Sequence, residues 1–403
     1  MMLTCGSPTG RYTLGCLGGA VAQRFERILT THTGSLPRPD DLARMILDRD
    51  DGKAVAGLDE RVRQGVADIV RQQRAAGVDV VSDGEQSKIS YATYIKDRLT
   101  GFQGEPSELP GGDALLRDHP DVAQKFMAQI SETTFVRQRP ACIGPIAYRD
   151  VAAVQTDIAN LHMAAAAAGA DQIFMTAASP GVVAMFFENR HYSSPEAYVN
   201  AIGNAMRVEY RAIVDAGITL QLDCPDLGAG PSMVGPEEGR RTIQRNIAAL
   251  NRAVEGIPAE RMRIHVCWGN YDGPHEGDVE LREIIDVVLQ AKPAGLSIEA
   301  CNPRHAHEWE VFREVSLPDD KYLIPGVVES TNNFVEHPRV VAQRLLNYVR
   351  QVGPERVMAG SDCGFNTFLG RGPVAPSITW SKLQAMAEGA RLATAEITSG
   401  VTV

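Results

Sequence analysis

Short runs of β-branched and apolar residues recur eight times along this chain, each closing on polar or glycine-rich residues before a segment of helical period. The runs are Ile28–Thr33, Val78–Ser82, Gln172–Thr176, Thr219–Leu222, Arg263–Val266, Gly295–Ile298, Tyr322–Val328 and Arg356–Gly360. Short apolar runs of this kind suit strands covered on both faces, and strands that alternate with helices pair in parallel. Between them, Val62, Val66, Ile69 and Val70 line one helix face before Gly77, as do Ile243, Ile247, Leu250 and Val254 before Gly256, and Val341, Leu345 and Val349 before Gly353. Ser194-Pro195-Glu196 reads as an N-cap with proline at the first helical position, opening a helix that runs to Gly217. Eight strand-helix units predict an α/β fold, a (β/α)8 barrel.

Two segments fall outside the unit. Residues 86–135, rich in Gly, Pro and charge, read as an insertion after the second strand, and Thr134–Tyr148 as a β-hairpin across the barrel mouth. Residues 1–25 read as a disordered tail without a secretory signal, because Arg11 and Tyr12 interrupt the apolar stretch, and 26–403 as one catalytic domain. A chain of 403 residues is long enough for one barrel with loop insertions.

Composition excludes several classes of function. Forty basic against fifty acidic residues leave a net charge of −10, which disfavours nucleic acid and anionic membrane as partners. No stretch reaches the roughly 20 apolar residues of a membrane span. Seven cysteines, an odd number with no CxxC pair, predict a cytoplasmic protein with free or metal-bound thiols.

In such barrels chemistry sits where strands run into the following loops. Here those positions carry His32-Thr33-Gly34-Ser35, Asp83-Gly84-Glu85, Asp223-Cys224-Pro225-Asp226, His265-Val266-Cys267, Glu299-Ala300-Cys301 and Asp362-Cys363-Gly364. His265 and Cys267 are two apart, so they project to one side of a strand. Glu299 and Cys363 converge on the same axis from other strand ends. One nitrogen, two sulfurs and one oxygen form the borderline donor set that Zn2+ prefers, with Cys224 and Cys301 as alternative thiols. Zinc among thiolates suits holding a further thiolate as nucleophile, which predicts alkyl transfer to sulfur.

Seven motifs in order carry a resemblance: THTGSLPRP at 31–39, SDGEQSK at 82–88, QLDCPDL at 221–227, IHVCWGNYDGPH at 264–275, SIEACNPRHAHEW at 297–309, IPGVVESTNNFVEHP at 324–338 and AGSDCGFNTF at 359–368. The chain resembles the C-terminal catalytic barrel of cobalamin-independent methionine synthase over roughly residues 26–397, and its short single-barrel relatives more closely. The resemblance implies catalytic zinc on His265, Cys267, Glu299 and Cys363, and an amino-acid thiol such as homocysteine held at Gly34, Ser35, Glu85 and Asp223. Glu85 and Asp223 suit its ammonium group.

The chain departs from that family on the donor side. An Asp-Glu-Pro-Ala stretch is replaced by Asp223-Cys224-Pro225-Asp226, the catalytic histidine falls near Thr331, and the folate-stacking tryptophan near Phe186 or Phe187. His32 and Asp226 are therefore the candidate acids, and Phe186 and Phe187 the candidate donor-binding residues. The implied function is a zinc-dependent transfer of a methyl or other alkyl group to a small thiol. Alternatives are thiol addition to an epoxide, as in coenzyme M-dependent relatives, a metal-free decarboxylase resembling uroporphyrinogen decarboxylase, and a non-catalytic thiol- or zinc-binding module. A decarboxylase would need basic side chains for substrate carboxylates.

Overall fold

The computed structural model describes residues 25–106, 118–131, 139–369 and 372–400. Seven parallel strands form one sheet in the order β1 (Val80–Val81), β4 (Gln172–Ala178), β5 (Thr219–Asp223), β6 (Met262–Val266), β7 (Gly295–Ile298), β8 (Tyr322–Val328) and β9 (Gly360–Ser361). The run expected as the first strand lies between β9 and β1. Thr30 bridges Ala359 in parallel, and its carbonyl accepts the Asp79 and Val80 amides. The Asp79 carboxylate takes the Thr30 amide at 2.9 Å, so a side chain supplies what a longer ladder would have. With that segment in place the ring closes, and all eight expected positions are filled.

The helices follow the apolar periods. Leu58–Ala75 buries Val62, Val66, Ile69 and Val70, and the backbone turns at Gly77 with φ 85°. Pro195–Asp215 begins where the Ser194 hydroxyl accepts the Ala197 amide at 3.1 Å.

The antiparallel ribbon has different arms from those expected. Its strands are β2 (Phe102–Pro106) and β3 (Pro140–Cys142), one on each side of a helix at Pro120–Ser131. Of the hairpin expected at 134–148, residues 134–138 lie outside the described residues and Pro140–Cys142 is one arm, while the other, Phe102–Pro106, falls in the stretch expected as an insertion. The ribbon leans on the loop beyond β4, where Cys142 exchanges backbone bonds with Glu188 and Arg190, and Phe102 meets Phe187 at 4.8 Å. Of the expected tail only Phe25 is described. It is buried and meets Tyr322 edge-on, at 5.3 Å.

The barrel interior is layered. Phe25, Leu29, Val80, Phe174, Tyr322, Ile324 and Met358 form an apolar plug separate from the main core between strands and helices. Above the plug lies Arg263, its guanidinium 3.8 Å over the Phe174 ring and 1% exposed. It donates to Gln221 Oε1 at 2.8 Å, Thr31 Oγ1 at 3.1 Å and the His32 carbonyl at 3.1 Å. Gly295 makes room for it, since a Cβ there would stand 2.6 Å from the Arg263 Cβ. Among the described residues no helix is long and apolar enough to cross a membrane.

Removing the guanidinium would leave three buried acceptors unpaired. Arg263→Leu is expected to cost about 3 kcal/mol, read as a lower urea midpoint of the full chain; an unchanged midpoint contradicts the role.

Candidate metal centre and substrate cavity

The carboxyl ends of the strands open into a cavity of about 130 Å³. Its floor carries Ser35, Glu85, Asp223, His265, Cys267 and Cys363. The loops that follow the strands bring these residues together from five strand ends.

His265, Cys267 and Cys363 offer ligand atoms that all lie within 4.8 Å of one another. The two sulfurs stand 3.7 Å apart and are not bonded as a disulfide. His265 Nε2 is buried without a hydrogen-bond partner, while Nδ1 meets Ser297 Oγ at 3.4 Å. Burial, helped by the Arg263 charge, lowers the His265 pKa to about 3, so the ring is neutral and its orphaned nitrogen is free to ligate. Hydrogen bonding to Cys363 and burial push the Cys267 thiol well up, a state that a cation beside the sulfur would reverse. An orphaned imidazole beside two close sulfurs fits zinc.

Glu299 stands outside the trio but borders it. Its Oε1 accepts the Trp268 amide at 2.8 Å, and burial followed by the Cys267 and Asp362 charges holds its carboxyl well above the usual range. Asp362 ties the two loops together, taking the Ala300, Cys301 and Asn302 amides at 2.7–3.0 Å. Cys224 and Cys301 are buried and lie outside the trio; the Cys224 sulfur donates to the Leu222 carbonyl at 3.4 Å.

The second half of the floor is a pair of buried carboxylates. Glu85 has φ 57°, an uncommon conformation for a residue with a side chain. Its Oε1 accepts from Thr176 Oγ1 at 2.9 Å and its Oε2 is buried without a partner. Gly34 permits this approach, because a Cβ there would lie 2.6 Å from Thr176 Cγ2 and 2.9 Å from Glu85 Oε1. Asp223 accepts from Gln221 Nε2 at 2.8 Å. Burial, and then the charge of Glu85, raises its pKa to about 8. The Lys88 ammonium donates to the same Thr176 hydroxyl at 3.2 Å, and the charges of Lys88 and Arg263 offset part of the effect of burial at Asp223.

Three expected residues are placed elsewhere. His32 does not line the cavity; its Nε2 meets Gln73 Oε1 at 2.8 Å, its Nδ1 accepts the Gly34 amide at 3.2 Å, and burial lowers its pKa to about 3. It positions Gly34 and holds no acidic proton near neutral pH. Asp226 points into the helices, bonded to Ser179 Oγ at 2.7 Å and Asn246 Nδ2 at 3.0 Å, because the short turn Pro225–Leu227 rotates it away. Phe187 packs on Phe102, outside the cavity.

Phe186 does reach the cavity. It forms a wall with Tyr91 and Phe368, the three ring centroids lying 5.4–6.0 Å apart. Tyr91 and Phe368 escaped sequence reasoning, although Phe368 closes the last quoted motif. Thr331 does not line the cavity and is bonded to Glu329. No Lys or Arg is among the described lining residues.

The chain is 24% identical over 372 residues to a methionine synthase of Saccharolobus solfataricus, across 91% of this chain and 95% of that one. It is 23% identical to a methionine synthase of Thermococcus kodakarensis, across 91% and 94%. The structure of a B12-independent methionine synthase from Shewanella sp. W3-18-1, in complex with selenomethionine, superposes with a TM-score of 0.70 at 20% identity, covering 93% of this chain and 99% of that one. No family model matches. Motif order, near full-length similarity to the archaeal proteins and a shared barrel converge: the chain is similar over nine-tenths of its length to methionine synthases, and its fold is that of a B12-independent one.

Proposed function

We propose that this protein is a zinc-dependent transferase that moves a methyl or other alkyl group onto the sulfur of a small amino-acid thiol such as homocysteine. The observation that carries this reading is one cavity floor holding both a cysteine-rich donor set and a carboxylate pair with one buried oxygen that has no hydrogen-bond partner. The methionine synthases to which the chain is similar support it, as does the selenomethionine of the Shewanella structure, an amino acid alkylated on a chalcogen.

His265, Cys267 and Cys363, with Glu299 beside them, would hold the zinc. When bound, zinc supplies the Lewis acidity that keeps a substrate thiol in its thiolate form at neutral pH. The rest is work of the chain's own residues. Glu85 Oε2 and Asp223 receive the substrate ammonium, whose charge favours release of the proton that burial and Glu85 keep on Asp223. Ser35 Oγ, which accepts the Asn366 amide at 3.4 Å, keeps its own proton for the substrate carboxylate. Ser297 steadies the His265 ring. Tyr91, Phe186 and Phe368 exclude water on the side from which an electrophile approaches.

That side also limits the electrophile. A methyl on a folate nitrogen transfers only after the nitrogen is protonated. Thr331 has no acidic proton, and neither His32 nor Asp226 reaches the cavity. Among the described residues the lining also has no Lys or Arg for the carboxylates of a folate tail or of a decarboxylase substrate. A donor activated in itself, such as a strained ring or an onium methyl, suits an aromatic wall over an acidic floor.

Three outcomes follow. Homocysteine added to cobalt-substituted protein intensifies the sulfur-to-cobalt charge-transfer band, and Cys267→Ser or Cys363→Ser abolishes that band; an unchanged spectrum with homocysteine, coenzyme M and glutathione alike rejects thiol activation. Transfer from 5-methyltetrahydrofolate to homocysteine is at least tenfold slower than from an activated donor, and robust methionine formation from the folate would overturn this. Asp223→Asn separates stability from binding. A raised folded-state pKa means the folded chain holds a proton that the unfolded chain has released, so ionising Asp223 destabilises the fold as pH rises from about 4 to about 8. The amide variant is therefore more stable than wild type at pH 8 and equal to it at pH 4, and it binds the amino-acid thiol at least tenfold more weakly. Equal unfolding midpoints at pH 8 contradict the buried charge.

A further inference from the structure

Behind the thiolate trio lies a second group of donors. His275, from the loop after β6, and His305, from the loop after β7, both turn toward Asp278. His275 Nδ1 stands 2.6 Å and His305 Nε2 3.1 Å from the same oxygen, Asp278 Oδ2. The three side chains are 1–4% exposed.

The outer nitrogens fix the hydrogens. His275 Nε2 lies 3.1 Å from the Tyr271 carbonyl, which can only accept, so that nitrogen carries hydrogen. His305 Nδ1 lies 2.9 Å from Glu308 Oε2, while Glu308 Oε1 accepts the Leu281 amide at 2.6 Å. Glu308 is thus an acceptor at both oxygens, and Nδ1 carries the hydrogen. In the neutral rings both inner nitrogens then direct lone pairs at one carboxylate oxygen, and a positive species must lie between them. Without a metal that species is a proton on His305, where, against the opposing effect of burial, the Asp278 and Glu308 carboxylates raise the pKa to about 10. One divalent cation takes the proton's place and bonds both nitrogens. Asp278 Oδ1 is buried without a partner, a further oxygen facing no donor. An imidazole whose far N–H is held by a carboxylate or a carbonyl is the arrangement that orients histidine toward a metal.

We propose that His275, Asp278 and His305 form a second, closed site for a borderline divalent ion of the zinc type, distinct from the thiolate centre. On one ion the ligand atoms settle roughly 3 Å apart, so the shorter contact opens slightly on loading. The ion staples the loop that follows Cys267 to the loop that follows Glu299. Trp268 passes this on, since its ring lies 4.4 Å from His305 and its amide holds Glu299 Oε1. The proposal stands on this donor set and not on the transfer reaction.

The test counts metal in the full chain, stripped and reloaded with Co²⁺. Wild type is expected to retain two equivalents after desalting. A Cys267→Ser/Cys363→Ser variant should keep one and lose the sulfur-to-cobalt band; Asp278→Asn should keep one together with the band. The proposal is overturned if wild type saturates at one equivalent and the double-cysteine variant binds none. Should Asp278→Asn fail to fold, the double-cysteine variant alone decides. If the double-cysteine variant keeps one equivalent while wild type never shows the sulfur band, the second site stands and the thiol-activation reading falls.

Discussion

A guanidinium buried in the middle of the barrel sets the geometry above it. Arg263 stacks on Phe174 and donates to Gln221 Oε1, which settles which end of that amide is which. Gln221 Nε2 must then face the other way, where it donates to Asp223 Oδ1 and to the Thr33 carbonyl. One cation thereby orients an acid on the cavity floor and the strand end that leads into Gly34 and Ser35. Arg263 also lies two residues before His265 on β6, so the same charge helps keep that imidazole neutral. Burial lowers the Arg263 pKa to about 10, and the group stays charged at neutral pH. Three well-placed acceptors and an aromatic face compensate its desolvation.

Above that layer the balance of charge reverses. Glu85, Asp223, Cys267, Glu299 and Cys363 gather at the carboxyl ends of the strands, and no Lys or Arg shares the described cavity lining with them. Buried anions at this density stay protonated or recruit cations. Raised pKa values for Asp223, Cys267 and Glu299 correspond to the first outcome. The proposed zinc at one end and substrate ammonium at the other would be the second, each supplying the opposite charge of an ion pair.

The fold was legible because its signal is periodic: eight apolar runs and the helix stripes between them place the strand ends without tertiary information. The floor was legible for a related reason, since residues at strand ends of a barrel must converge. Direction was not. Asp223 and Asp226 sit in one motif, yet a short turn sends one to the cavity and the other to Ser179 and Asn246. Phe186 and Phe187 are neighbours at a helix end and leave it on opposite sides. His32 lies at a strand end but points to Gln73, a partner 41 residues away in sequence. The roles of Asp362 and Trp268 are contacts to the loop after β7, and no local pattern announces those.

The two sides of the cavity differ in what holds them. Floor residues stand on or directly after strands whose hydrogen bonds fix their spacing. The wall is assembled from Tyr91 in the segment after β1, Phe186 on the short helix after β4 and Phe368 in the loop after β9. Loops tolerate substitution that strands do not. A change in the wall alters the shape and polarity met by an electrophile without moving a ligand of the thiolate trio or an oxygen of the carboxylate pair. A floor of His265, Cys267, Cys363, Glu85 and Asp223 can therefore stay fixed while the wall of Tyr91, Phe186 and Phe368 changes, so in the proposed transferase thiol binding and donor choice could vary independently within one barrel.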